Sequence, residues 1–129
     1  MKFLTLILSL YIISGCSSSL SEQAMLAQTN DWYRIGLLDG EKGHYQQARV
    51  ELEDLGSISE EEYQKYKQGF SDGLDEYCKP DNAQRNGSNG VLYQGQCTNT
   101  EFEELAIQKW QEAYIQSATF ESMVLALSN

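Results

Sequence analysis

Basic residues are scarce: nine Lys and Arg face nineteen Asp and Glu, a formal charge of −10 over 129 residues. Phosphate recognition depends on clustered Lys and Arg, so nucleic acid is excluded as a partner, and so is a polybasic grip on anionic lipid. Histidine occurs once and cysteine three times. These are too few for a four-coordinate zinc site built on those residues, and neither metal nor cofactor is expected. The Asp-Gly segments also lack the alternating acidic ligands of a calcium loop. Proline occurs once against ten glycines, which excludes a Pro-rich linker and fits one small ordered domain.

What is present begins with an address. Lys2 precedes an uncharged apolar run of eleven residues, Phe3 to Ile13. That is short of the ~20 residues that span a bilayer as a helix, but it suits a secretory signal. The run ends Ile13-Ser14-Gly15-Cys16, which resembles the lipobox of bacterial lipoproteins. An ordinary signal peptide cut nearby, or a buried N-terminal strand, is the plainer alternative. The resemblance implies a signal peptide over residues 1–15, cleavage before Cys16 and acylation of that thiol with fatty chains such as palmitate. Ser17, rather than Asp, implies an outer-membrane destination facing the periplasm, with exposure at the cell surface left open. Removing residues 1–15 loses Lys2 and keeps all nineteen acids, which moves the charge from −10 to −11. Residues 16–30 then read as lipidated cysteine and serine-rich flexible tether with room for a short helical turn at Met25 and Leu26, and residues 31–127 as a helical periplasmic domain.

With Cys16 committed to lipid, Cys78 and Cys97 remain as an even pair, as secreted proteins use for crosslinks. Two free buried thiols, or a cysteine-pair metal site, are the weaker alternatives. A bond between positions 19 apart contributes about 3 kcal/mol by the chain-entropy account.

The expected fold is all-α: a small bundle of three to four helices, a long disulfide-stapled loop and room for a short hairpin. Asp31 is a fitting N-cap before Trp32 and Tyr33. A helix over roughly residues 44–55 closes at Gly56. Ser59 and Glu62 form a capping box for the helix carrying Tyr63, Tyr66, Phe70, Gly73, Leu74 and Tyr77, which Lys79 and Pro80 end. Thr100 with Glu103 suggests another box, opening a helix whose stripe includes Phe102, Leu105, Ala106, Trp110, Ala113, Ser117, Phe120 and Val124. Between them, Lys79 to Asn99 reads as loop, with Asn86-Gly87 and Asn89-Gly90 as turns and Val91-Leu92-Tyr93 as a candidate strand.

An internal repeat crosses this pattern. Tyr33-Arg34-Ile35-Gly36-Leu37-Leu38-Asp39-Gly40 matches Tyr66-Lys67-Gln68-Gly69-Phe70-Ser71-Asp72-Gly73 at a constant offset of 33. Each mid-helix glycine costs about 1 kcal/mol relative to Ala, so tertiary contacts must offset it. Glycines four apart floor a shallow groove that lets another helix approach. The two repeat helices are expected to meet there, with Trp32, Tyr66, Phe70 and Trp110 around them. The competing reading makes Trp32, Gly36, Asp39, Gly40, Tyr66, Gly69, Asp72 and Gly73 an open interaction groove.

Asp39 and Asp72 occupy equivalent repeat positions. Facing each other they would form an acid–base pair; the bland alternative pairs each with Arg34, Lys67 or a helix N-terminus. His44 reads as solvated at a helix start, and no catalytic residue is assigned.

Asp31-Trp32-Tyr33, Gly36, Asp39-Gly40, Gly43, Tyr66, Gly69, Gly73-Leu74, Tyr77-Cys78, Pro80, Gly87, Gly90, Tyr93, Gly95 and Cys97 together resemble an uncharacterised family of small Gram-negative envelope lipoproteins. Gln96 departs from the apolar residue expected there. The resemblance implies an envelope lipoprotein and brings no activity with it. A lesser likeness, over Trp32, Ile35, Gly36, Gly43, Tyr45 and Ala48, is to a tetratricopeptide helix pair, which Cys78 and Pro80 interrupt in the next unit. The expected role is structural or protein-binding: membrane attachment by the lipid anchor, an envelope protein as partner, and no enzyme. The alternative is inhibition of a basic hydrolase such as lysozyme, and third comes a carboxylate-dependent enzyme.

Overall fold

The computed structural model describes residues 21–128; the signal segment expected over residues 1–15 and the expected lipidation site Cys16 lie outside them. Six helices follow in order: α1 Glu22–Gln28, α2 Trp32–Glu41, α3 Arg49–Leu52, α4 Glu60–Tyr77, α5 Pro80–Ser88 and α6 Glu103–Leu127. No strand occurs among the described residues, so the hairpin at Val91-Leu92-Tyr93 does not form. The helices pack mainly as two pairs, α2 on α4 and α5 on α6.

Local chemistry sets several of the ends. The Asp31 carboxylate accepts the Arg34 backbone N–H at 3.2 Å, capping α2 as its sequence suggests. The Ser59–Glu62 capping box forms in both directions at the head of α4. Burial then divides the core in two. Ala27, Trp32, Ile35, Leu52, Ile58 and Tyr66 form one cluster. Cys78, Ala83, Cys97, Ala106 and Trp110 form the other. Helix α4 reaches both, through Tyr66 near its start and Leu74 and Tyr77 near its end.

Four sequence expectations need correction. The tether over 16–30 contains α1, capped by Ser21 and burying Ala27 beneath Trp32's cluster. The helix over 44–55 shrinks to α3. Left-handed Gly43 turns the chain at the end of α2, and Gln47 directs its backbone N–H to the Tyr66 hydroxyl at 3.0 Å, away from helical bonding. The Lys79–Asn99 loop is helical over its first half. Pro80 occupies the first turn of α5, where a missing N–H costs nothing and the fixed φ helps. The Thr100 box is absent as well. Its hydroxyl donates to the Cys97 carbonyl, Glu103 accepts from Asn99 N–H, and α6 starts at Glu103.

Candidate functional site

The two repeat helices meet backbone to backbone. A Cβ on Gly36 would overlap the Tyr66 carbonyl oxygen, and one on Gly40 the Phe70 carbonyl oxygen. Reciprocally, a Cβ on Gly69 would overlap the Tyr33 carbonyl oxygen, and one on Gly73 that of Leu37. Rising numbers on α2 meet rising numbers on α4, so the helices run parallel. Every contact recurs with the copies exchanged, the mark of a local two-fold relation. A parallel pair requires a return connection, which residues 42–59 supply; a tetratricopeptide hairpin would be antiparallel. The glycines are thus filled by each other's helix rather than flooring an open groove. Trp110 is not among their neighbours; it belongs to the second cluster.

The same symmetry places the carboxylates. Tyr66 Oη donates to Asp39 Oδ2 at 3.1 Å, and its repeat equivalent Tyr33 donates to Asp72 Oδ2 at 2.9 Å. Each tyrosine binds the aspartate of the other copy. Their surroundings then diverge. Asp39 is 1% exposed and also accepts from Gln23 Nε2 at 2.6 Å and Gln47 Nε2 at 2.8 Å. The His44 Nδ1 stands 3.6 Å from its other oxygen edge, at the mouth of this cluster. Asp72 is exposed and accepts from Gln68 Nε2 at 3.0 Å. The two aspartates therefore sit in separate hydrogen-bond sets and do not form a shared acid–base pair. Neither takes Arg34 or Lys67 as its partner; Lys67 instead places its Nζ 5.2 Å from the Tyr63 ring centroid.

Burial drives the Tyr66 hydroxyl far above the ordinary tyrosine range, with the nearby Asp39 carboxylate adding to the effect and the Gln47 N–H opposing it. Tyr33 is raised chiefly by its bond to Asp72. Both hydroxyls therefore stay protonated as donors at neutral pH. Asp39 is thereby a fastener: Gln23 comes from α1, Gln47 from the connector and Tyr66 from α4. The sequence shows Asp39 and Tyr66 through the repeat, but nothing in it marks Gln23 and Gln47 as their partners.

Cys78 and Cys97 form a disulfide with Cα atoms 5.6 Å apart, both residues fully buried. Around it Tyr77 and Tyr93 meet the Trp110 ring edge-on, at centroid distances of 5.7 and 5.4 Å. Trp110 Nε1 donates to the Val91 carbonyl at 2.7 Å, tying down the segment after α5. Gly87, read as a turn, is another close-contact glycine: a Cβ there would overlap the Trp110 carbonyl oxygen. Its spacing of four from Ala83, facing the alanines of α6, is the signal that identifies it. A cleft of about 140 Å³ opens beside this cluster, lined by Leu92, Tyr93, Trp110, Gln111, Tyr114 and Ile115. That is well below the ~300–1,000 Å³ of pockets that enclose small molecules.

Among the described residues no group of three or more His, Cys, Asp or Glu is arranged to hold a metal ion, and no helix is long and apolar enough to cross a membrane. The lipidation site expected at Cys16 lies outside those residues. A family profile described as "Protein of unknown function (DUF2799)" matches residues 31–115. The chain is also similar to an uncharacterized protein, YfiL, of Escherichia coli (strain K12): 25% identical over 118 residues, covering 92% of this chain and 93% of that one. No solved structure matches.

Proposed function

Because the chain belongs to this family of unknown function, matched over residues 31–115, no activity comes with membership, and we propose the role from the molecule's own features. The protein is an outer-membrane lipoprotein, anchored through acylated Cys16, whose helical domain serves a structural or protein-binding role in the periplasm. One observation carries this: Cys78 and Cys97 are bonded to each other, which leaves Cys16, the third cysteine of the sequence, outside that bond. Disulfides persist in oxidising compartments, and the remaining cysteine is the one that follows Ile13-Ser14-Gly15. Two or more acyl chains hold a protein stably at a bilayer, whereas one binds marginally.

A binding or structural role, rather than catalysis, is supported by the state of the carboxylates. Asp39 is surrounded by donors that fasten three segments, and Asp72 stands apart from it at the surface. The test is fractionation of cells producing the native chain or Cys16→Ser, with labelled palmitate. The native chain should take up label and sediment with outer membranes, and Cys16→Ser should do neither. A native chain that stays unlabelled and soluble overturns the proposal.

The net charge favours a second reading, inhibition of a basic hydrolase such as lysozyme, since an acidic surface accelerates encounter with a cationic enzyme. Retention of cationic lysozyme on immobilised protein at low salt, lost at high salt, would support it. No retention at low salt would end it.

A further inference from the structure

The apolar seam of α6 is longer than the helix that covers it. Ala106, Trp110, Ala113, Ser117, Phe120, Val124 and Leu127 follow one another in alternating steps of four and three, the spacing that keeps one stripe against a neighbouring helix. Over the first half that neighbour is α5: Gly87 lies on the Trp110 carbonyl and the Ala113 methyl, and Ala106, Trp110 and Ala113 are buried. Helix α5 stops at Ser88, and left-handed Gly90 turns the chain back toward Trp110, whose Nε1 donates to the Val91 carbonyl. Beyond Ser117 the stripe continues into solvent, with Phe120, Met123, Val124 and Leu127 between 49 and 83% exposed.

We propose that this uncovered half is a homodimer seam, in which residues 120–127 of two copies pack as antiparallel helices. Charge selects the partner. The chain carries −10, yet between Ala113 and Ser128 its sole carboxylate is Glu121, with no Lys or Arg. Two copies repel one another over most of their surface and can approach closely only where charge is missing. A strongly charged partner of either sign finds little to hold on this stretch. Charge also sets the direction. A parallel pair would bring two acidic domains together at one end. The antiparallel pair puts the domains at opposite ends of a seam roughly 12 Å long at 1.5 Å per residue, beyond the ~8 Å screening length of physiological salt.

The stripe is self-complementary about a two-fold axis between Met123 and Val124. Phe120 then faces Leu127 of the other copy and Met123 faces Val124, as a closed isologous contact requires. Two helical turns bury less than the ~1,200 Å² of stable interfaces, so the dimer is weak and dissociates on dilution.

The experiment uses the full chain purified in nonionic detergent, with sedimentation equilibrium and oxidative crosslinking of Met123→Cys and Leu127→Cys variants. The native chain, run alongside, accounts for any crosslink through Cys16. The expected result is a concentration-dependent dimer that Met123→Cys locks covalently and Leu127→Cys does not, since residue 127 faces Phe120 in the antiparallel pair and would face its own copy only in a parallel one. Phe120→Gln with Val124→Gln should abolish the dimer while leaving the helical CD signal and melting temperature unchanged. Efficient Leu127→Cys crosslinking would indicate parallel helices and overturn the proposal. So would a dimer indifferent to the double substitution. A chain monomeric at all concentrations overturns it too, whether or not Phe120 and Val124 bind phosphatidylethanolamine–phosphatidylglycerol vesicles.

Discussion

At the scale of single residues, the two copies of the repeat have separated in burial while keeping their hydrogen bonds. Asp39 and Asp72 each accept from the other copy's tyrosine, but only Asp39 is enclosed. Removing a donor or acceptor from a buried set costs about 1–3 kcal/mol, because its partner is left unsatisfied. Asp39→Asn places an amide donor against the Gln23, Gln47 and Tyr66 donors and should lose that much in chemical denaturation. Asp72→Asn, at the surface, should stay within about 0.5 kcal/mol of the native chain. Equal losses in both would show that the burial difference has no energetic weight. Tyr66 adds a pH dependence. Its folded pKa lies above the ordinary 10.0, so the stability it contributes is complete below pH 10 and declines as pH rises beyond it. Thermal melts from pH 8 to 11.5 should hold level to about pH 10 and then fall. Tyr66→Phe should start lower and fall less steeply, the remaining slope coming from Tyr33 and Tyr77, whose pKa values are also raised.

At the scale of helices, close approach explains most of what the sequence shows and what it hides. Glycines at positions 36, 40, 69 and 73 are legible because the 33-residue repeat displays them twice, and a helix keeps mid-helix glycine only where packing repays it. The partner of each glycine face is also legible by that logic, though not the parallel sense, which depends on how the connector returns. Helix α5 was hidden because Pro80 ends one helix and begins the next, and because Asn86-Gly87 has turn composition inside a helix. The Gln23–Asp39 bond spans 16 positions between separate elements, and no local pattern encodes it. Gly36→Ala and Gly69→Ala should each cost about 1–3 kcal/mol, the usual range for overpacking, since the added carbon meets backbone that cannot rotate away. Gly56→Ala is the control. Its added carbon would come no nearer than 3.9 Å to a neighbour, so CD melts should show it unchanged or slightly stabilised. Melting temperatures lowered equally at all three positions would contradict a specific α2–α4 contact.

At the scale of the whole molecule, two small cores share one chain, α2 with α4 and α5 with α6, joined through the end of α4 and the Cys78–Cys97 bond. Breaking that bond with paired Cys78→Ser and Cys97→Ser should cost about 3 kcal/mol and loosen the second core first. Loss of the near-UV CD contribution of Trp110 before the far-UV signal would register this, and an unchanged denaturation midpoint would argue that the crosslink is dispensable. Under the proposed function the disulfide also links fold to location, because such bonds persist in oxidising compartments and this one leaves Cys16 outside the crosslink. Intact mass spectrometry of the protein recovered from the cells that produce it tests that linkage most directly. The expected product begins at Cys16, carries fatty acyl mass on that residue, and lacks two hydrogens at Cys78 and Cys97. A product that retains Met1 without acyl mass, or that holds both later thiols free, would contradict it.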